Sequence, residues 1–229
     1  MNIALILAGG TGTRLGADIP KQYIKVGGKM IISYCIDTFD KCSMIDGIQI
    51  VAEPVWQETL CRLSIDKLRG FSSPGGTRQL SILNGLEDIR KYASDCDRVI
   101  IHDGARPLVS GMMIEKVINA SEGHDGSLPV LPMKDTVYLS EDGEHITSLL
   151  DRNSVLAGQA PECFNLGKYY RANTGLLPDD ILDINGSTQP AVMAGMDIAV
   201  VRGDEDNFKI TTRQDFERFT EIIKSRRNA

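Results

Sequence analysis

Apolar and polar positions along this chain repeat with two periods, one suited to strands and one to helices. Ile3 to Leu7 is an unbroken apolar run, the pattern of a strand buried on both faces. Met30 to Phe39 carries apolar residues at helical spacing, and Gly47 to Ala52 reads as a short strand. Amphipathic helices are predicted over Glu58 to Leu68 and over Gln79 to Lys91, the second entered from a Gly75-Gly76 loop. Asp97 to His102 reads as a buried strand that ends in Asp103-Gly-Ala-Arg-Pro107. A helix over Gly111 to Ala120 and a strand over Gly126 to Leu131 follow.

This alternation predicts an α/β fold: a doubly wound, mostly parallel, Rossmann-like sheet with helices on both faces. In such sheets ligands bind beyond the carboxyl ends of the strands, the edge to which the loops at Gly9, Gly75 and Asp103 are assigned. Residues 134 to 156 break the pattern. Thr136-Val-Tyr-Leu139, a turn at Glu141-Asp-Gly143, and His145 to Leu150 read as an inserted β-hairpin, an arm suited to packing on a neighbouring copy. Phe208 to Thr212 leads into a terminal amphipathic helix, Arg213 to Arg226, with Thr212 as its cap and basic residues at its end. The expectation is one domain over residues 1–229, with a dimerisation arm at about 134–156.

Composition narrows the functional classes. A chain of 229 residues with 42% hydrophobic content buries roughly 70–75% of its unfolded surface and needs no covalent staple. The net charge of −6 disfavours a general nucleic-acid binder, while leaving room for a phosphate site built from local cations. Cys35, Cys42, Cys61, Cys96 and Cys163 form no Cys-x-x-Cys pair, as expected of reduced thiols in a cytoplasmic protein. The three histidines lack metal-ligand spacing. Neither a charged leader nor an apolar run approaching the ~20 residues of a membrane helix is seen, so no membrane partner is expected.

The chemistry concentrates in residues 7–21, Leu-Ala-Gly-Gly-Thr-Gly-Thr-Arg-Leu-Gly-Ala-Asp-Ile-Pro-Lys. Gly9, Gly10 and Gly12 permit a sharp turn and close approach of the backbone to a ligand. Consecutive N–H groups in such a turn form an anion-binding concavity, and Arg14 and Lys21 flank it. Together these features suit a triphosphate. No Gly-Lys-Ser/Thr follows the glycines, which rules out a P-loop. The glycine spacing also fails the dinucleotide fingerprint. A glycine-rich βα turn without chemistry is the plain alternative.

The stretch resembles the signature of nucleotidyltransferases that join an NTP to a phosphorylated small molecule. With Pro20-Lys21-Gln22-Tyr23 it resembles the cytidylyltransferases of 2-C-methyl-D-erythritol 4-phosphate and of ribitol 5-phosphate. Further blocks match in order: Val99-Ile-Ile-His-Asp-Gly-Ala-Arg-Pro-Leu108, Pro132-Met-Lys-Asp-Thr136, Asp151-Arg152-Asn153 with Gln159-Ala-Pro-Glu-Cys-Phe164, and Gly203 to Thr212.

The resemblance implies in-line attack of a substrate phosphate on the α-phosphorus of CTP, with pyrophosphate leaving. Arg14, Lys21 and Lys209 are then the catalytic cations, placed where the transition state gathers charge. Leu7, Ala8, Gly9, Gly10, Thr11, Gly12, Thr13, Gly75, Gly76, Arg78, Ser81, Asp103 and Gly104 would hold CTP, with the Pro74 to Ser81 turn reading cytosine. Asp103, Arg106, Thr136, Arg152 and Thr188 would meet the acceptor, Thr136 and Arg152 from the partner of a homodimer. Asp103 has two open roles: a contact to acceptor hydroxyls, or a ligand to Mg²⁺ (or another divalent cation) travelling with CTP. A helix cap is its structural alternative.

The chain departs from the family on the acceptor side. Gln-Thr-Pro is Gln159-Ala160-Pro161, and Thr-Asp-Asp/Glu-Ala is Thr188-Gln189-Pro190-Ala191. Methylerythritol phosphate is the first choice of acceptor, ribitol 5-phosphate or another polyol phosphate of envelope synthesis the second. A non-catalytic CTP-binding module is a third reading, on the same fold.

Overall fold

The computed structural model describes residues 1–10 and 19–228. Its strands are β1 (Asn2–Leu7), β2 (Lys25–Val26), β3 (Lys29–Met30), β4 (Gly47–Val51), β5 (Leu68–Ser72), β6 (Arg98–Asp103), β7 (Gly126–Pro132), β8 (Val137–Leu139), β9 (Ser148–Leu150), β10 (Leu156–Gly158), β11 (Glu162–Asn165) and β12 (Ile198–Arg202). Its helices are α1 (Ile31–Lys41), α2 (Pro54–Cys61), α3 (Arg78–Ile89), α4 (Gly111–Ala120), α5 (Leu166–Thr174), α6 (Gln189–Met193) and α7 (Arg213–Asn228).

The central sheet runs β10-β7-β11-β6-β1-β4-β5, with β12 also paired to β7. β1 pairs in parallel with β4 and β6, β4 with β5, and β12 with β7, whereas β10 and β11 run antiparallel to their neighbours. The sheet is therefore mixed but mostly parallel. Successive β1 residues face opposite sides, as the strand period requires. Ala4 and Ile6 join the core shared with Ile32, Ile36 and Ile114 of α1 and α4. Ile3 and Leu5 join the core shared with Ile82 and Leu86 of α3 and Tyr169 of α5. Two cores on two faces explain why β1 is apolar at every central position.

One element differs from its sequence pattern. The helix expected over Glu58 to Leu68 is α2, which starts at Pro54 and ends at Cys61, while Leu68 opens strand β5. Proline suits the first helical turn, where its missing N–H has no partner to lose. Leu60 is in the core and Leu63, Ile65 and Leu68 pack against it. Their spacing imitates a helix although they come from a helix, a turn and a strand. Strands β10, β11 and β12 and helices α5 and α6 had no clear pattern of their own. The hairpin is a separate two-stranded sheet in which Val137 pairs with Leu150 and Leu139 with Ser148. Helix α7 starts at a reciprocal cap, in which the Asp215 N–H donates to Thr212 Oγ1 and the Thr212 N–H donates to the Asp215 carboxylate.

Candidate active site

The carboxyl ends of the parallel strands β1, β5 and β6 open on a cleft of about 480 Å³. Gly9 and Gly10 line it from the end of β1, Gly75, Gly76, Arg78 and Ser81 from the turn between β5 and α3, and Asp103 from β6. Lys21 comes from the short 3-10 turn Lys21–Tyr23, and Lys209 from the segment before α7. Leu7 also lines the cleft, while Ala8 is buried. Thr11, Gly12, Thr13 and Arg14 lie outside the described residues.

The glycines of the two loops have steric reasons. A Cβ on Gly9 would lie 2.4 Å from Pro74 Cβ, and one on Gly75 would lie 2.5 Å from Leu80 Cβ. Gly104 donates its N–H to Leu7 O at 2.9 Å, and a Cβ there would sit 3.0 Å from that oxygen. So Gly9, Gly75 and Gly104 leave no room for a side chain where the β1, β5 and β6 loops meet, whereas a Cβ on Gly10 or Gly76 would meet nothing within 4 Å. Thr77 caps α3 by accepting from the Leu80 N–H, which sets Arg78 in the first helical turn. Ser81 Oγ accepts from the Gly75 N–H at 2.9 Å and donates to Thr77 O at 2.9 Å. Its proton is thereby committed to the loop.

Asp103 is the electrostatic centre. Its Oδ1 accepts from Arg78 Nη2 at 3.0 Å; its Oδ2 lies 3.1 Å from Lys209 Nζ and 3.6 Å from Arg106 Nε. Burial alone would raise this carboxyl, but Arg78, Lys209 and Arg106 hold it far below the usual carboxylate range. The same carboxylate, against the opposing effect of burial, keeps the Arg78 guanidinium firmly charged. Asp103 is not a helix cap, since Ser110 caps α4. Arg106 is largely buried behind it and donates Nη1 to Asn207 O at 2.7 Å, tying the β6 loop to the segment that carries Lys209.

Next to Asp103, His102 is fully buried on β6. Its Nε2 lies 3.0 Å from Arg106 O; a carbonyl only accepts, so Nε2 carries the ring proton. Nδ1 is buried without a partner among the described residues, and burial lowers the imidazole to about 4.

Two residues of the site's surroundings had no role in the sequence reading. Gln22 is 4% exposed and donates Nε2 to Ala8 O at 2.6 Å and to Gly10 O at 2.7 Å. It sits inside the Pro20-Lys21-Gln22-Tyr23 block, and this placement was its one sequence signal. Glu162 on β11 is 8% exposed, accepts from Ser187 Oγ at 2.6 Å and Thr188 Oγ1 at 2.8 Å, and feels Arg78 and Arg106 nearby. Burial raises its carboxyl, opposed by Arg78 and the two hydroxyls.

The residues expected to meet the acceptor are not all brought into the cleft. The described residues that line it do not include Gly104, Arg106, Thr136, Arg152 or Thr188. Thr136 is exposed beside β8, and Arg152, also exposed, donates to Lys134 O at 3.2 Å. Ala160 is 2% exposed, and its carbonyl accepts from Asn207 Nδ2 at 2.6 Å.

A family model described as 2-C-methyl-D-erythritol 4-phosphate cytidylyltransferase matches residues 2–225. A protein of that name from Rubrobacter xylanophilus is 35% identical over 229 residues, covering 98% of this chain and 95% of the relative. A ribitol-5-phosphate cytidylyltransferase of Streptococcus agalactiae serotype III is 32% identical over 233 residues, covering 100% of this chain and 98% of the relative. The crystal structure of 4-diphosphocytidyl-2C-methyl-D-erythritol synthase from Anaerococcus prevotii aligns with a TM-score of 0.82 at 25% identity, covering 97% of this chain and 96% of that one.

Proposed function

The chain belongs to the 2-C-methyl-D-erythritol 4-phosphate cytidylyltransferase family, and from that membership we propose that its acceptor is 2-C-methyl-D-erythritol 4-phosphate, a step of isoprenoid precursor synthesis. The observation that carries the reading is the convergence on one cleft of Gly9, Gly10, the Gly75 turn, Lys21, Lys209 and Asp103. An acceptor phosphate oxygen attacks the α-phosphorus of CTP and forms the new P–O bond. The bond to the β-phosphate oxygen breaks, and pyrophosphate leaves with the electron pair. The acceptor supplies the nucleophile, so the protein's part is to align two phosphates and neutralise charge. Lys21 and Lys209 line the cleft for this task, and Arg14 is the third cation on sequence grounds. Before substrate enters, Asp103 holds Lys209 at 3.1 Å. Triphosphate oxygens offer Lys209 the same kind of partner as the Asp103 carboxylate.

A divalent cation is expected with CTP. Asp103 and Glu53 are the carboxylates that line the cleft, Asp103 is already faced by Arg78, Lys209 and Arg106, and among the described residues no three His, Cys, Asp or Glu side chains group to hold a metal. This donor set does not fit a divalent ion held by the protein alone. The cation is therefore read as part of the substrate, Mg²⁺ on CTP oxygens, and no residue is assigned as its ligand.

The acceptor half of the site is read as shared between two copies. Tyr138, Ile146 and Leu149 of the hairpin are more than half exposed, and such an apolar group on an arm favours burial against a partner. Thr136 and Arg152 would travel with that arm into the partner's cleft. A cytoplasmic location agrees with five free cysteines, three of them buried. No described helix is long and apolar enough to cross a membrane.

Ribitol 5-phosphate is the alternative acceptor, favoured by full-length similarity to a cytidylyltransferase of that name and by the altered Ala160 and Gln189 positions. Pyrophosphate release from CTP and a panel of polyol phosphates tests the reading. The expected result is a higher kcat/KM with methylerythritol phosphate. A better rate with ribitol 5-phosphate transfers the assignment to the alternative, and CTP binding without release from any acceptor overturns both.

A further inference from the structure

Gln22 does something unusual for one side chain: it satisfies two backbone carbonyls of the glycine loop from a single nitrogen. Nε2 donates to Ala8 O at 2.6 Å and to Gly10 O at 2.7 Å. Tyr23 adds a third donor, its hydroxyl reaching Ala8 O at 3.0 Å. The Tyr23 ring is itself fixed, stacked on Trp56 with centroids 4.0 Å apart and planes at 9°. On the other side the Ala8 N–H is held by Val51 O at 2.8 Å. The peptide group joining Ala8 to Gly9 therefore has its oxygen anchored by two side chains.

A trans peptide points its N–H opposite to its C=O. With the Ala8 oxygen turned to Gln22 and Tyr23, the Gly9 N–H is directed away from them. Gly9 and Gly10 both line the cleft. A free carbonyl at either position would set a negative dipole against a phosphate, whereas a fixed N–H supplies a positive one. Donors fixed before the ligand arrives cost no reorganisation when charge develops.

We propose that Gln22 is a positioning residue for the triphosphate: by occupying the Ala8 and Gly10 carbonyls it makes the glycine loop an anion cradle. The inference rests on the reading of this cleft as the CTP site. The residue type is specific to the task. An amide nitrogen carries two hydrogens and serves two carbonyls; a carboxylate has none to give and would repel both. The turn bonds Tyr23 N–H to Pro20 O at 2.9 Å and Ile24 N–H to Lys21 O at 3.2 Å make Lys21, Gln22 and Tyr23 one unit. The segment that brings the Lys21 cation to the cleft also orients the loop opposite it.

The test is calorimetric titration of wild type, Gln22→Met and Tyr23→Phe with CTP and with inorganic tripolyphosphate, folding at the assay temperature being checked by circular dichroism. Gln22→Met is expected to weaken both ligands by the same factor, about ten-fold or more. Tyr23→Phe keeps the stack and loses one donor, so a smaller loss, again equal for both ligands, is expected. Unchanged tripolyphosphate affinity in folded Gln22→Met overturns the proposal, as does a loss confined to CTP. If Gln22→Met does not fold, Tyr23→Phe decides: wild-type tripolyphosphate affinity overturns it. A wild type that binds tripolyphosphate through Gln22 but releases no pyrophosphate from CTP sinks the functional reading and leaves this one standing.

Discussion

Gly9 and Pro74 meet so closely that a Cβ added to the glycine would stand 2.4 Å from the proline's own Cβ. They come from the ends of β1 and β5, far apart in the chain, and join the loop read as the triphosphate cradle to the turn read as the base site. Gly9→Ala cannot be absorbed by a flexible side chain, because the obstacle is a proline ring. The loops must part, with a stability cost of roughly 1–3 kcal/mol. A displacement near 1 Å misaligns the reacting groups, so kcat/KM for CTP should fall about 10²-fold. Steady-state kinetics beside urea unfolding check both numbers; unaltered kcat/KM would show that the two loops do not bind one ligand.

Lys21→Ala and Lys209→Ala should each lower kcat by about 10² to 10³, the usual effect of removing one donor to a developing charge. Arg14→Ala should do the same, an expectation from sequence alone. Removing Lys209 also takes one cation from Asp103, but Arg78 and Arg106 remain beside that carboxylate, so the fold should persist. Single-turnover rates measure the effect, and near-wild-type chemistry in any of the three would remove that cation from the mechanism.

The burial of His102 predicts a loss of stability in acid. Its folded pKa is lowered from 6.5 to about 4 by burial, so the unfolded chain binds its proton first as pH falls. The stabilising difference is full above about pH 6.5 and is lost as pH drops towards 4. It amounts to about 2 kcal/mol between pH 7 and pH 5. His102→Gln keeps a donor in reach of Arg106 O without titrating. Urea midpoints of the variant should change less between pH 7 and pH 5 than those of wild type; parallel pH profiles would refute the assignment.

Glu162 runs with the opposite sign. Its carboxyl is raised by burial, so the folded state binds the proton more readily, and its charge opposes folding at high pH. Glu162→Gln removes that charge and retains the shape. The variant should be most stable relative to wild type near pH 8 and lose the advantage as pH falls towards 4.5. Thermal midpoints across that range give the answer, and a variant less stable than wild type at pH 8 would show that the ionised carboxylate contributes to the fold.

A shared acceptor site predicts complementation. Arg152→Ala and Lys21→Ala subunits, each inactive as homodimers, should recover about half of wild-type activity in the mixed dimer, since one of its two clefts then has both residues from intact copies. Tagged subunits purified as the mixed dimer supply the measurement. No recovery in such a dimer, or a monomer by sedimentation, would end the shared-site reading.

Much of this was legible along the chain. Apolar runs over Ile3 to Leu7 and Val99 to Ile101 marked strands buried on both faces, because only a doubly covered sheet needs apolar residues at every position. Helix α4 matched its expected limits, Gly111–Ala120, and Ser110 supplies its cap. The hairpin stood out because a turn at Gly143 separated two short runs. Glycines without a P-loop lysine, followed by Lys21, pointed to a phosphate-binding loop, and Gly9, Gly10 and Lys21 do line one cleft.

Other features depended on contacts between distant segments, to which local periodicity is blind. Leu60, Leu63, Ile65 and Leu68 share one core in helical spacing, yet only tertiary packing decided that Leu68 begins an edge strand beside β4. Strand β11 lies antiparallel between β6 and β7, a placement that no pattern within its four residues encodes. The same holds for charge and hydrogen bonding. The amino-acid sequence determined that Asp103, Arg78 and Lys209 exist in motifs of the right type; the fold alone decided that one carboxylate would hold both cations, at 3.0 and 3.1 Å. Gln22 looked like any polar residue beside a lysine until the end of β1 brought two carbonyls within reach of its amide. Local sequence sets which groups can donate, accept or fit, and the crossing of loops at the sheet edge sets which of them meet.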